Sequence, residues 1–228
     1  VLLSLPISTV KGEAVSYIDA LFTATTSVCV TGLVTVPTVH TWSIFGQVVI
    51  LFLIQIGGLG VITILSGLMI SLHRRIGLGD RMLLQDAFNL NTLSGLVKFV
   101  QKVLCGTFVI EGIGALLYMI VFVPEYGARG IWISVFNSIS AFCNAGIDII
   151  GGASFCGYTE NYIVNLATIF LIVMGGIGFC VWWDIQRVAK EAFKKKLFRK
   201  QLFHRLSIHS KLAITMTLLL IVSGTVLF

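Results

Sequence analysis

The sequence predicts an all-α membrane protein built from a repeated unit: a spanning helix, a half-length helix with a loop, and a second spanning helix. Three observations predict it: the composition, the lengths of the apolar runs, and an internal repeat. Of 228 residues, 57% are hydrophobic and 11% are charged, with a mean hydropathy of +0.98. A soluble domain carries roughly 25% charged residues. So few charges cannot cover this much apolar surface in water, which excludes a soluble enzyme. The net charge of +6 is concentrated in two segments, so it does not indicate nucleic-acid binding.

A spanning helix needs about 20 mostly apolar residues. In chain order, the apolar stub VLLSLPI at 1–7 is too short to span and reads as the tail of an opening span. With the apolar run that continues to Phe228, it suggests a fragment of a larger membrane protein. A half-length run at 17–28 leads into a loop that ends at 33. The first full span covers 45–72, which at 1.5 Å per residue is about 42 Å, longer than a hydrocarbon core of about 30 Å. A polar loop at 73–97 follows. The second unit covers 98–183, with a span at 99–123, a half-length run at 130–142 in a loop ending at 147, and a span at 162–183. A basic loop at 184–210 precedes the start of a third unit at 211–228.

The half-length runs at 17–28 and 130–142 end in small and polar residues and are read as re-entrant helices. Charge supports that reading. Fourteen of the sixteen Lys and Arg flank only two connections: Arg74, Arg75, Arg81, Lys98 and Lys102 in one, and nine residues from Arg187 to Lys211 in the other. The positive-inside rule makes both connections cytoplasmic. Full crossings at 17–28 and 130–142 would put them on opposite sides.

The repeat appears in two places. ALFTATTSVCVTGL at 20–33 aligns with SVFNSISAFCNAGI at 134–147 at an offset of 114, pairing Phe22 with Phe136, Cys29 with Cys143 and Gly32 with Gly146. LFLIQIGGLG at 51–60 aligns with IFLIVMGGIG at 169–178 at an offset of 118. A half-helix that returns as extended backbone is a pore-loop arrangement. Its carbonyls can replace the hydration shell of a monovalent cation, and the helix C-terminus turns its negative dipole end toward the ion. Val30-Thr31-Gly32 and Asn144-Ala145-Gly146 are the candidate filter residues. The competing reading makes Gly32 and Gly146 ordinary helix caps; their matched flanks and matched downstream spans argue against it.

These residues resemble the Trk/Ktr/HKT potassium-uptake family, most closely the bacterial Ktr-type membrane subunit, also known as the sodium-ATPase-operon subunit J type. The resemblance rests on TSVCVTGL at 26–33, NAGIDIIGG at 144–152, QIGGLG at 55–60 and MGGIG at 174–178, and covers essentially the whole chain. It implies a potassium-channel-like fold of four units around one pore, about two of them present here. It assigns one filter glycine per unit, Gly32 and Gly146. The preceding filter carbonyls fall on Val30 and Thr31, and on Asn144 and Ala145. The implied function is potassium uptake across a bacterial plasma membrane, with potassium bound at the filter residues only and sodium linkage left open. The implied assembly is a homodimer on a cytoplasmic nucleotide-binding regulatory ring, with no cofactor. The competing class is a non-conducting membrane scaffold or assembly subunit.

Glu111 lies mid-span, where an acid is costly and should face protein or water. It reads as an ion or gating contact or as an interhelical tie. Asp148 reads as a cation-enriching acid at the outer mouth or as a solvated loop acid, and Asp19 as a helix-start residue. The glycines at 57, 58 and 60 and at 175, 176 and 178 fail the GxGxxG fingerprint, since Thr63 and Val181 stand where it needs glycine; close helix packing is the better reading. The run KEAFKKKLFRKQLFHR at 190–205 reads as an interfacial segment on anionic lipid or as a docking surface for a cytoplasmic partner. The five cysteines form no CxxC pair, so neither a disulfide framework nor a zinc site is expected. His40, His73, His204 and His209 sit in loops with no paired nucleophile, so no catalytic centre is expected.

Overall fold

The computed structural model describes residues 2–10, 12, 15–60, 63–64, 79, 82, 96–151, 154–195 and 203–227. Two compact units divide the chain, one before and one from Gly176. In the first, two 3-10 turns (Leu2–Ser4 and Pro6–Ser8) occupy the stub expected to end a span; Pro6, which lacks an N–H, starts the second turn. Helix α1 (Tyr17–Cys29) carries Asp19 in its first turn, where an acid suits the helix dipole. A short helix α2 (Thr38–Thr41) leads to α3 (Ile44–Leu59), capped by the Ser43 hydroxyl, which accepts from the Gly46 amide at 3.3 Å. Among the described residues no strand forms; Thr9 and Trp42 make one isolated antiparallel bridge.

Helix α4 (Leu96–Tyr126) is the long element of this unit. Gly127, at φ 59°, turns the chain into α5 (Ala128–Phe142), which runs back antiparallel along α4. Side chains would block that approach. A Cβ at Gly130 would strike the Phe122 backbone, and one at Gly114 would lie 2.5 Å from Ser138 Oγ. Buried polar groups then join the elements. Ser138 Oγ donates to the Glu111 carbonyl at 2.6 Å, and Trp132 Nε1 donates to Gln47 Oε1 at 2.7 Å. After a 3-10 turn (Ser154–Tyr158), α6 (Tyr162–Gly176) begins at Asn161, whose side-chain oxygen accepts from the Ile163 and Val164 amides. Tyr118 and Thr168 pair their hydroxyls at 2.6 Å and tie α6 to α4.

The second unit holds α7 (Phe179–Lys195) and α8 (Ile208–Leu227). Asp184 joins them, accepting from the Ser207 amide at 2.7 Å while pairing with Arg187.

Two of these helices, Phe99–Tyr126 and Ile208–Leu227, are long and apolar enough to cross a membrane, and the broken pair α6–α7 makes a third if it is one span. The helices at the expected spans 45–72 and 162–183 stop early. Helix α3 ends at Leu59, and Gly60 takes φ 80°; α6 ends at Gly176, and Gly178 takes φ 92°. A glycine at positive φ breaks the i→i−4 ladder although the apolar run continues. Each glycine then starts a new turn: Thr63 donates to the Gly60 carbonyl at 3.1 Å and Val181 to that of Gly178 at 3.2 Å. Residues 65–72 and most of 73–97 lie outside the described residues, as do 196–202 of the basic run.

Candidate functional site

Helices α1 and α5 end in the same backbone motif, 114 residues apart. Past α1, Val30 has φ 55° and Gly32 φ 79°; past α5, Asn144 has φ 59° and Gly146 φ 67°. Thr31 and Ala145, between them, keep negative φ. A left-handed conformation costs an L-residue roughly 1–2 kcal/mol, and Val30 is β-branched, which makes it a rare occupant. Surrounding bonds must impose it. Thr31 N–H donates to the Thr26 carbonyl at 3.1 Å, and Ala145 N–H donates to the Ser140 carbonyl at 2.8 Å. Each closes the same turn on its own helix end.

The two loops face each other. A Cβ at Gly32 would lie 2.7 Å from the Ala145 carbonyl oxygen and 3.4 Å from Gly146 Cα; one at Gly146 would lie 3.5 Å from Gly32 Cα. At Gly32 both the positive φ and this approach require glycine, whereas at Gly146 the positive φ alone favours it. All six residues read from the sequence as a filter, Val30, Thr31, Gly32, Asn144, Ala145 and Gly146, therefore lie in the two facing loops, with Ala145 buried. A cavity of about 290 Å³ adjoins them, lined from one loop by Val34, Thr35 and Pro37 and from the other by Gly146, Asp148 and Gly151.

The glycines of α3 and α6 back these loops. A Cβ at Gly57 would collide with the Val28 carbonyl, and one at Gly175 with the Phe142 carbonyl. Those contacts correspond under the two sequence offsets. Gly58 lies against Cys143, so the helix following the first loop also supports the second.

Glu111 is 4% exposed. Its Oε1 accepts from Gln55 Nε2 at 2.9 Å, joining α4 to α3, while its backbone carbonyl holds Ser138. It stands behind the second loop as an interhelical tie, and Gln55 Oε1 is 3.9 Å from Cys143 Sγ. Asp148 bonds within its own loop, accepting from the Ile150 amide at 3.1 Å and from the Ser154 hydroxyl. Among the described residues no cluster of His, Cys, Asp and Glu could hold a metal ion. The site offers backbone carbonyls and helix ends, which suit a weakly bound monovalent cation better than a transition metal.

Sequence reasoning missed Gln55 and the two hydroxyls that brace the loops, Thr26 and Ser140. The signal for the hydroxyls was present, because Thr26 and Ser140 also stand 114 residues apart. Gln55 had none, since its counterpart at the second offset is Val173.

The profile of the TrkH family, described as cation transport proteins, matches residues 3–228. The chain belongs to this family. Its relatives in the family include the potassium/sodium uptake protein NtpJ of Enterococcus hirae, 40% identical over all of this chain and 48% of that protein. The Ktr system potassium uptake protein B of Bacillus subtilis is 42% identical over 96% of this chain and 46% of its own length. The protein of the same name from Vibrio alginolyticus is 35% identical over all of this chain and 48% of its own length. This TrkH-family chain thus spans about half the length of the curated relatives it matches. The family is one of membrane-embedded cation transporters, not of enzymes.

Proposed function

We propose that the chain supplies two of the four pore-loop units of a potassium-uptake pore. One filter glycine per unit, Gly32 and Gly146, lets main-chain oxygens of Val30, Thr31, Asn144 and Ala145 coordinate the dehydrated ion. The observation that carries this reading is the recurrence of one strained backbone motif in two loops that touch at their glycines. The relatives' names give the cargo class: potassium for the Ktr proteins, potassium and sodium for NtpJ. Sodium linkage belongs to the proposal as an open branch. The pore lies in a bacterial plasma membrane, with both loops entering from outside and the basic connections in the cytoplasm. There the membrane potential favours cation entry by about 2.3 kcal/mol per charge per 100 mV. The resemblance adds a homodimer seated on a cytoplasmic nucleotide-binding ring.

Gly32→Ser and Gly146→Ser test the reading in the complete natural polypeptide. Each adds a side chain where φ is positive, and at Gly32 it also meets the opposite loop. The expected result is weakened discrimination of potassium from sodium, read as potassium-limited growth rescue and ion uptake in an uptake-deficient strain. Unchanged affinity and selectivity in both variants would overturn the filter assignment.

A further inference from the structure

We propose that Thr26 and Ser140 are positioning residues that set ion discrimination by fixing the two loops from behind; this rests on the filter reading above. Both are 3% exposed and sit in the last turn of their half-helices. Serine and threonine within a helix commonly return their hydroxyl to the carbonyl four residues back. Their neighbours do so: Thr25 to Leu21, Ser27 to Thr23 and Ser134 to Gly130. Thr26 and Ser140 instead reach forward, out of the helix, to the returning backbone. Thr26 Oγ1 pairs with Thr31 Oγ1 while its carbonyl holds the Thr31 amide. Ser140 Oγ donates to the Ile147 carbonyl and accepts from the Ile147 amide at 3.1 Å, while its carbonyl holds the Ala145 amide.

Each loop is thus pinned by one residue that uses both its backbone and its side chain. The pinned segments contain the left-handed residues Val30, Gly32, Asn144 and Gly146. Without the hydroxyl, the carbonyls of Thr31 or Ala145 can rotate away from a common direction, and a loosely held cage discriminates poorly between ions of different size. The braces differ in one respect. The first needs a hydroxyl at Thr31; the second has Ala145 there and seizes the backbone one step after Gly146.

The test uses Thr26→Val, Ser140→Ala, Thr26→Ser and Ser140→Thr in the complete natural polypeptide. Potassium and sodium uptake are measured as separate KM and Vmax values, with membrane abundance measured in parallel. Losing one net hydrogen bond corresponds to about a 2- to 10-fold change. Thr26→Val should lower the potassium-to-sodium KM preference by that factor and Ser140→Ala, which loses two bonds, by at least that factor, and Thr26→Ser and Ser140→Thr should retain it. Thr31→Val should reproduce Thr26→Val, and the double variant should add nothing. Ser140→Ala removes one atom from an intact helix and is decisive. If its preference stays at the wild-type value, whatever happens to abundance or Vmax, the inference is overturned. Gly32→Ser and Gly146→Ser run alongside. Altered preference there with none at the hydroxyls defeats this inference alone, whereas silence at all four positions defeats the filter reading as well.

Discussion

Glu111, a mid-span acid read as an ion contact or as an interhelical tie, accepts from Gln55 through Oε1, while its Oε2 is buried without a hydrogen-bond partner among the described residues. Removing half of such a pair costs more than the pair is worth, because the buried partner is left unsatisfied. That penalty is about 1–3 kcal/mol. Glu111→Leu should strand the Gln55 amide and lower thermal stability in detergent by that amount, whereas Glu111→Gln keeps an acceptor and should lose less. Melting temperatures of the two variants check it, and equal losses would remove Gln55 from the account. The glycines at 32 and 146 carry the other residue-scale lesson. Their type was legible because two matched glycines in matched flanks are improbable as caps, but the approach of the loops to each other was not, since no local pattern encodes it.

At the scale of elements, two half-helices end against two glycines. Gly57 receives the Val28 carbonyl and Gly175 the Phe142 carbonyl. Even a methyl group must displace a helix end there. Gly57→Ala and Gly175→Ala should each destabilise by about 1–3 kcal/mol, the usual cost of overpacking. Gly112, with nothing within 4 Å of an added Cβ, should accept alanine without loss. Stability of the three variants, measured by thermal denaturation in one detergent, decides it; equal behaviour would show that the close approach has no energetic weight. The half-helices read at 17–28 and 130–142 are helical over Tyr17–Cys29 and Ala128–Phe142. Apolar length and terminal small residues suffice to locate such elements. The ends of α3 and α6 were not legible, because hydropathy continues through Gly60 and Gly178 while the backbone turns to positive φ. An apolar run records where a chain can be buried, not where its hydrogen-bond ladder breaks.

For the whole molecule, the repeat is the organising fact. Loop dihedrals, loop-closing bonds, backing glycines and helix breaks all recur at offsets of 114 or 118. Composition made the membrane class legible, and the repeated segments pointed to the matched backbone of the two loops. The bracing hydroxyls were legible as a matched pair, but that one reaches Thr31 and the other Ile147 was not, because the two loops differ in sequence there. Under the proposed function, both loops border one ion path. Val34 and Asp148 line the same cavity from opposite loops, so Val34→Cys with Asp148→Cys, in a complete polypeptide freed of its native cysteines, offers the direct measurement. External cadmium should block potassium uptake in the double variant and in neither single one, and excess potassium should slow the block. Uptake untouched by cadmium in the double variant, or a block indifferent to potassium, would contradict a shared path.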